Sequence, residues 1–154
     1  MKVFDEELLN LRSCSILDKD FVYQTKKIAM KPYIEKIWGS WDDEFQTERF
    51  NKNFNPQFTQ IVQYLEKDIG ILIVEEELDT FQVDNIQILP EYQNRGIGSF
   101  LLIQIIKKAR KIGKSVTLQV LKTNPDAKKL YERLGFEEVG GTEFHFQMKN
   151  SVTL

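Results

Sequence analysis

The chain has 154 residues, and 42% of them are apolar, which suffices for one domain with a full hydrophobic core. Its formal net charge of −2 argues against a dedicated nucleic-acid-binding protein, since such proteins are normally basic. The longest apolar stretch, residues 99–106, is interrupted by Gln104 and is too short to span a membrane. The single cysteine, Cys14, excludes an intrachain disulfide and a metal site made of cysteines.

The first elements are predicted to be a strand and a helix. The strand is expected over Ser13–Leu17. Asp18 or Asp20 then caps a helix that runs through residue 29 and on toward residue 37. A bend is expected at Pro32, because proline lacks the amide hydrogen of the helical ladder.

A second helix and three antiparallel strands are predicted next. The helix starts at Asp42 or Asp43 and carries Phe45 and Phe50. Apolar or alternating runs separated by short polar pairs are typical of strands joined by turns. The strands are expected over Thr59–Leu65, Ile69–Val74 and Phe81–Leu89, with turns at Lys67-Asp68 and Asp79-Thr80.

The turn after the third of these strands suits an anion. Gly96 and Gly98 lie in the run Gln93–Ser99, at the start of a predicted helix that Gly113 caps. The glycines lack the Cβ atoms that would block a ligand, and the free N–H groups of a helix's first turn point at it with the positive end of the helix dipole behind them. A phosphate group fits that place. The helix is predicted from one apolar side, made of Ile97, Leu101, Ile105, Ala109 and Ile112.

The spacing of the glycines distinguishes among phosphate-binding motifs. The dinucleotide pattern G-x-G-x-x-G fails because Leu101 stands at its last position, and a P-loop fails because Ser99 follows Gly98 where lysine is needed. The run matches Q/R-x-x-G-x-G/A, and it resembles the pyrophosphate-binding motif of the GNAT superfamily of acetyl-coenzyme A-dependent N-acyltransferases. An unrelated nucleotide-binding protein would need a different glycine pattern.

A second motif strengthens this resemblance. It follows a strand predicted at Thr117–Val120 and is similar to the GNAT signature N-x-x-A-x-x-x-Y-x-x-x-G-F. A last, half-buried strand is predicted over Glu143–Met148 from its strict alternation. The resemblance covers the chain from about Gln60 to Met148. The residues that match the second motif are Asn124, Ala127, Tyr131, Gly135 and Phe136.

The resemblance implies an α/β (α+β) fold of the GNAT type. Its central, mixed and mostly antiparallel sheet is flanked by helices, and the fourth and fifth strands splay apart. No repeat, low-complexity segment or linker marks a boundary, so residues 1–154 are expected to form a single domain. Asp5, Glu6 and Glu7 stand where a signal peptide would need a basic end. We therefore expect a cytoplasmic monomer or homodimer without nucleic-acid or membrane partners.

The resemblance also implies acetyl-coenzyme A as cosubstrate, with no metal. The backbone of Ile86, Gln87 and Ile88 pairs with the pantetheine arm, and an N–H group near Ile88 polarises the thioester carbonyl. Arg95 either reaches a phosphate or is an exposed structural arginine. The residues expected to hold the diphosphate are Gln93, Asn94, Arg95, Gly96, Ile97, Gly98 and Ser99.

Three residues of the second motif carry further expectations. Asn124 caps a helix that begins with Pro125, and by resemblance it also hydrogen-bonds the pantetheine. Ala127 fits a close contact with the cofactor. Tyr131 is predicted to be the general acid that protonates the departing sulfur, and packing beside its helical neighbours is the competing explanation.

The residues leave the general base open. Many family members carry Glu at the position of Gln119, which cannot accept a proton at neutral pH. Asp84 on the preceding strand is the predicted replacement, and a solvent-facing carboxylate is its alternative explanation. His145, the only histidine, has an ordinary pKa of ~6.5 that suits a base, and a chain of waters is the further option.

The acceptor pocket is expected in the N-terminal half and the last strands. The candidates to line it are Trp38, Trp41, Phe45, Phe50 and His145. The alternative is that the aromatic residues pack the two helices onto the sheet. The predicted function is transfer of an acetyl group from acetyl-coenzyme A to a primary amine of a small molecule or peptide. The competing function is that of a non-catalytic acyl-coenzyme A-binding sensor or interaction module.

Overall fold

The computed structural model describes residues 3–151, and this part of the chain contains seven strands and four α-helices. No helix within it has the length and apolarity needed to cross a lipid bilayer. The helices are α1 (Lys19–Trp38), α2 (Asp43–Asn53), α3 (Ile97–Lys111) and α4 (Pro125–Arg133). The strands are β1 (Leu9–Ser13), β2 (Thr59–Tyr64), β3 (Lys67–Glu76), β4 (Thr80–Ile88), β5 (Ser115–Leu121), β6 (Glu137–Gly141) and β7 (His145–Asn150).

One sheet contains these strands in the order β1-β2-β3-β4-β5-β7-β6. β4 and β5 pair in parallel, whereas the pairs β1–β2, β2–β3, β5–β7 and β6–β7 are antiparallel. The prediction of a mixed, mostly antiparallel sheet flanked by helices is confirmed. The parallel register ends at Val83 and Leu118, although β4 continues to Ile88 and β5 to Leu121, as expected of two strands that diverge.

The chain divides into two compact units. The first contains residues up to Ile73 together with Asn85–Ile97, and the second contains Val74–Asp84 together with the residues from Gly98 onward. The expectation of a single domain stays a prediction. In the first unit Val22, Phe50, Ile61 and Ile71 form a buried cluster. In the second unit the buried residues include Leu101, Leu102, Ala109, Val116, Leu118, Phe136 and Met148.

The predicted helices are present, but the Asp18 side chain makes no hydrogen bond that caps α1, and Ile112 lies outside α3. The bend expected at Pro32, which lies inside α1, stays a prediction. Asp42 caps α2, since its side chain accepts the Phe45 N–H at 3.1 Å. On α3, Leu101 and Ala109 of the predicted apolar side are at most 4% exposed. Ile112 was wrongly assigned to that side and is 53% exposed, because α3 ends at Lys111 and the chain turns away there.

The first strand was predicted wrongly at Ser13–Leu17. The strand is Leu9–Ser13, and Ile16–Asp18 form a 3-10 turn. The Ser15 hydroxyl accepts the Leu17 N–H at 3.2 Å, and the Asp18 carboxylate accepts the Ser15 N–H at 2.9 Å, so this capping box bends the chain where alternation predicted an extended strand.

The hairpin turn was also misplaced. Leu65 and Glu66 form the turn between β2 and β3 with φ of +52° and +65°, and the predicted turn residues Lys67 and Asp68 lie in β3. Two successive left-handed residues match the twist of a hairpin, but leucine and glutamate are not the residues that normally reveal such a turn. The last strand begins at His145 and not at Glu143.

Arg12 joins β1 to β3 and to the turn before α1. Its guanidinium donates to both oxygens of Asp18 at 2.8 and 3.0 Å, and to both oxygens of Asp68 at 2.8 and 3.2 Å. The hydrogen bonds from Arg12, followed by the one from the Ser15 N–H, hold the pKa of Asp18 at about 2, below its ordinary value of 3.8. The network fixes the start of α1 through an ionised carboxylate.

Replacing Asp18 with Asn is expected to lower the free energy of unfolding at pH 7 by about 1–2 kcal/mol, because a charge-assisted network is lost. A lowered folded-state pKa stabilises the fold above the unfolded value of 3.8, and this contribution is lost as the pH falls toward about 2. Urea unfolding of wild type and Asp18→Asn at neutral and acidic pH should therefore show a difference that shrinks with acid. Asp20→Asn, at an exposed neighbouring carboxylate, is the matched control. Equal losses in the two variants would contradict the role of the network.

Candidate functional site

The turn between β4 and α3 is tied to the end of β4. The Gln93 side chain donates from Nε2 to the carbonyl oxygen of Ile88 at 2.8 Å. The Leu89 N–H donates to the carbonyl of Ile69 in β3 at 2.8 Å, and Pro90–Tyr92 form a 3-10 turn. The turn therefore starts from a strand end that is held on both sides, and the Gln93 side chain has a partner within the protein.

The backbone of this turn has two residues in the left-handed region. Asn94 has a φ of +62° and Gly96 a φ of +88°. Asparagine is one of the few residues besides glycine that adopt this conformation readily. Left-handed residues within a turn direct neighbouring N–H groups to one side, which creates a concave site for anions. The turn thus has a conformation suited to a phosphate group.

The start of α3 leaves space for such a group. Ile97 begins the helix and is 1% exposed, and Gly98 follows it. A Cβ atom built on Gly98 would meet nothing within 4 Å. No contact within the described chain therefore requires glycine here, and the N–H groups of a first helical turn have no helical acceptor. The start of α3 therefore has room for a group that accepts hydrogen bonds from these N–H groups.

The Arg95 side chain folds back along the turn. Its Nη2 donates to the Glu91 carbonyl at 3.1 Å, and its guanidinium carbon lies 5.2 Å from the centroid of the Tyr92 ring. These contacts favour the structural alternative for the guanidinium. The Arg95 backbone carbonyl accepts the Val3 N–H at 2.8 Å.

Gly70 of β3 is a residue that the sequence reasoning missed. A Cβ atom there would lie 2.9 Å from Cδ1 of Ile88 and still closer to the carbonyl oxygen of Gln87. Gln87 and Ile88 are 9% exposed, so the end of β4 packs against this glycine. An isolated glycine inside an apolar strand was the available signal, because it marks a close approach of another backbone.

In the second unit, Asp84 and Gln119 lie on one face of the sheet. The Thr117 hydroxyl donates to the Gln82 side-chain oxygen across the parallel pair β4–β5, so these two side chains share a face. Asp84 and Gln119 stand two residues farther along each strand and point to the same side by alternation. Both side chains are exposed, so solvent reaches the predicted base and the neighbouring Gln119.

β7 adds two polar residues to this face. Gln147 pairs with Gln119, and His145 pairs with Leu121, in the antiparallel register of β5 and β7. Residues directly opposite in such a pair lie on the same face. His145 therefore shares a face with Asp84, and Gln147 is a polar neighbour that no sequence pattern could assign without the register.

Asn124 is the N-cap of α4, as predicted. Its Oδ1 accepts the Ala127 N–H at 3.2 Å, and Pro125 occupies the first helical position. The cap uses the oxygen of the amide, so Nδ2 remains a donor with a different direction. The structural role is thus shown, and it leaves the predicted contact to pantetheine chemically available.

Tyr131 of α4 lies against Phe136, with ring centroids 6.0 Å apart in an edge-to-face arrangement. The Tyr131 carbonyl accepts the N–H groups of Leu134 and Phe136, each at 3.0 Å, which closes the end of the helix. Burial raises the pKa of Tyr131 above its ordinary value of 10.0. The phenol is therefore protonated at neutral pH, which is the state that a general acid requires.

The aromatic residues proposed for the acceptor pocket divide into two groups. Trp41 is half-buried and donates from Nε1 to the Tyr23 hydroxyl at 3.3 Å and to Asp43 at 3.1 Å, so it joins α1 to α2. Trp38 and Phe45 are 52% and 56% exposed. These two side chains keep surface for a partner. Trp41 has the structural role named as the alternative, and so does Phe50, which belongs to the buried cluster and is 8% exposed.

Residues 22–136 match the model of the acetyltransferase (GNAT) family. This match spans well over half of the chain, and the matched range contains the turn at Gly96 and the helix cap at Asn124. The chain belongs to the GNAT family of acetyltransferases.

Two curated relatives of this chain carry the same name. A 72-residue stretch is 40% identical to the [ribosomal protein bS18]-alanine N-acetyltransferase of Haemophilus influenzae, covering 46% of this chain and 49% of that protein. A 108-residue stretch is 35% identical to the Escherichia coli protein of the same name, covering 70% of this chain and 66% of that protein. The matched region thus spans between about half and two thirds of these relatives.

A solved structure supports the fold. The PaiA N-acetyltransferase of Thermoplasma acidophilum, in complex with coenzyme A, superposes with a TM-score of 0.73 over 93% of this chain and 98% of that chain. The two sequences are 16% identical, so this likeness concerns the fold alone.

The two glycines of the turn are expected to differ in their effect on stability. Gly98→Ala should be as stable as wild type or more stable by up to about 1 kcal/mol, because alanine favours a helix and the Cβ meets no neighbour. Gly96→Ala should lose about 1 kcal/mol or more, because its φ of +88° strains a residue with a side chain. Urea unfolding of both variants measures this, and an equally large loss in Gly98→Ala would contradict the open space at the helix start.

Proposed function

We propose that the protein moves an acetyl group from acetyl-coenzyme A to the free amino group at the N-terminus of a peptide or protein. The observation that carries the proposal is the turn Gln93–Ser99, with left-handed Asn94 and Gly96 and open space at Gly98. Family membership supports the cosubstrate. The relatives named for an alanine of a ribosomal protein support the acceptor class, and with it a cytoplasmic location.

The backbone does most of the cosubstrate binding in this proposal. The N–H groups of the turn and of the first turn of α3 bind the diphosphate, since they are preoriented and carry the positive end of the helix dipole. The backbone of Ile86–Ile88 pairs with the pantetheine arm, and the N–H near Ile88 donates to the thioester carbonyl. Asn124 Nδ2 and Ala127 add contacts from the start of α4.

The chemistry requires one proton to be removed and one to be supplied. Acetyl-coenzyme A supplies the activated acetyl group, and a C–N bond replaces the C–S bond. The α-amino group of a peptide, with an ordinary pKa of about 7.7–8.0, is mostly protonated at pH 7, so a base must take its proton. Asp84 takes this proton directly or through water, which its exposed position allows. The Tyr131 hydroxyl donates a proton to the departing sulfur.

Exposed aromatic residues are proposed to receive the acceptor. Trp38 at the end of α1 and Phe45 on α2 keep about half of their surface accessible. Aromatic side chains contribute large contact areas with few torsions to immobilise, which suits recognition of a peptide backbone. His145 on the Asp84 face is proposed as a further contact.

The direct test is thiol release from acetyl-coenzyme A in the presence of peptides. A short peptide that starts with alanine is expected to release free thiol and to gain the mass of one acetyl group. The same peptide with a blocked N-terminus is the matched control and should give neither signal. Free lysine and small amines complete the panel, and turnover with these and not with the peptide would reject the acceptor class.

The competing function is an acyl-coenzyme A sensor, which Gln119 in place of the family's Glu favours. Such a protein would bind coenzyme A tightly and show no turnover with any amine. Gly98→Val adds a control for the turn, since its larger side chain fills the open space at the helix start. Unchanged affinity of that variant for coenzyme A, measured by isothermal titration, would reject the site itself.

Tyr131→Phe is expected to lower kcat tenfold or more and to leave the affinity for coenzyme A almost unchanged. The variant keeps the ring contact with Phe136 and loses only the acidic proton. Tyr23→Phe is the matched control, because it removes a hydroxyl that bonds Asp43 at 2.9 Å and should lower stability without changing kcat. Equal kcat in wild type and Tyr131→Phe would reject the role of general acid.

The pH profile gives a second measurement of the same role. A general acid must be protonated, so activity falls as the pH rises through its pKa. Burial raises the pKa of Tyr131 above 10.0. The kcat of wild type should therefore show no falling limb below about pH 10, and a limb at lower pH would contradict the assignment.

A further inference from the structure

We propose that the segment Val3–Asp5, called the strap below, positions the diphosphate-binding turn by fixing the orientation of one of its peptide groups. The proposal deepens the proposed function and rests on it. The contact that carries it is a backbone hydrogen bond of 2.8 Å from the Val3 N–H to the Arg95 carbonyl oxygen. Val3 and Phe4 are then positioning residues, because they act on the ligand through the turn.

The bonded carbonyl and the Gly96 N–H are two ends of the same peptide group. No cis peptide bond occurs among residues 3–151, so this group is trans and its C=O and N–H point in opposite directions. A carbonyl directed at Val3 therefore directs the Gly96 N–H away from the strap. Glycine accepts φ of either sign, so the peptide group before Gly96 is among the least constrained in the turn. The bond from Val3 supplies the missing constraint.

The same bond strengthens the donor. Hydrogen bonds in a chain polarise one another, and a peptide carbonyl that accepts a bond makes the N–H of its own peptide group a better donor. The Gly96 N–H belongs to the helix-start region where an anion is expected. The strap therefore acts on both the direction and the strength of one of the donors proposed for the diphosphate.

Aromatic residues anchor the strap beside the turn. The Phe4 and Tyr64 rings meet edge to face with centroids 6.5 Å apart, and the Asp5 N–H donates to the Tyr64 hydroxyl at 3.1 Å. Tyr64 is 8% exposed and meets the Tyr92 ring at 6.4 Å. Tyr92 in turn lies under the Arg95 guanidinium. A continuous set of contacts thus joins the strap to the turn.

The test compares Val3→Pro with Val3→Ala. Proline removes the N–H donor, whereas alanine keeps it. Val3 is 55% exposed, so neither replacement removes a buried side chain. Isothermal titration with coenzyme A is expected to show a Kd about threefold to tenfold higher for Val3→Pro than for Val3→Ala, the range that corresponds to one hydrogen bond. Displacement titration with pantetheine, which lacks the diphosphate, should give the same affinity for both variants.

Equal affinities of the two variants for coenzyme A would overturn the proposal. Parallel weakening of coenzyme A and pantetheine would also overturn it, because a general loss of structure affects both ligands. If Val3→Pro lowers the unfolding temperature, Phe4→Ala decides, since it keeps the N–H and removes the ring that anchors the strap. For Phe4→Ala, weaker coenzyme A binding with unchanged pantetheine binding supports the proposal, and unchanged coenzyme A binding rejects it. Failure of wild type to bind coenzyme A would reject the proposed function. If wild type binds coenzyme A and Val3→Pro and Val3→Ala bind it equally well, only the proposed role of the strap is rejected.

Discussion

The hydrogen bond from the Gln93 side chain to the Ile88 carbonyl is the constraint on which the candidate site depends. It joins the last residue of β4, where the thioester is proposed to lie, to the turn that is proposed to hold the diphosphate. The positions proposed for the thioester and for the diphosphate must be a fixed distance apart, because a pantetheine arm of one length connects the two groups. A side chain that spans five residues of backbone achieves this more rigidly than the turn alone. The glutamine of the first motif thus has a structural reason that needs no direct contact with ligand.

At the start of α4, one side chain can serve two roles. Asn124 was expected to serve either as a helix cap or as a pantetheine contact, and its two amide atoms allow both. Oδ1 accepts the Ala127 N–H, while Nδ2 is a donor that the cap does not use. A substitution by Ser or Asp would preserve the cap and remove the NH₂ donor, so such a substitution separates the two roles.

Much of the fold followed from residues whose effect is local. Asp42 and Asn124 cap the helices they were expected to cap, and the glycines of the turn stand where α3 begins. The errors have a different cause. Ser15 and Asp18 form a capping box, and the Asp18 carboxylate also accepts from Arg12. Arg12 in turn donates to the distant Asp68, so the turn at residues 16–18 depends partly on a contact that the local sequence does not encode. The pairing registers of the strands could not be predicted from the sequence either. Without them, Gln147 could not be identified as the neighbour of Gln119.

The structure constrains the identity of the general base least, because the side chains at that position are exposed to solvent. Asp84 and Gln119 share one accessible face, so an ordered water can connect the amine to either a carboxylate or bulk solvent. Removing a proton from an exposed site demands little from any single side chain, since water carries it away. Protonating the departing sulfur, the role proposed for Tyr131, is more demanding, because the donor must hold its proton until the C–S bond breaks. Burial raises the pKa of Tyr131 in the direction that this task requires. In the proposed mechanism the base is therefore the group that water can replace, whereas the proton donor proposed at Tyr131 is not.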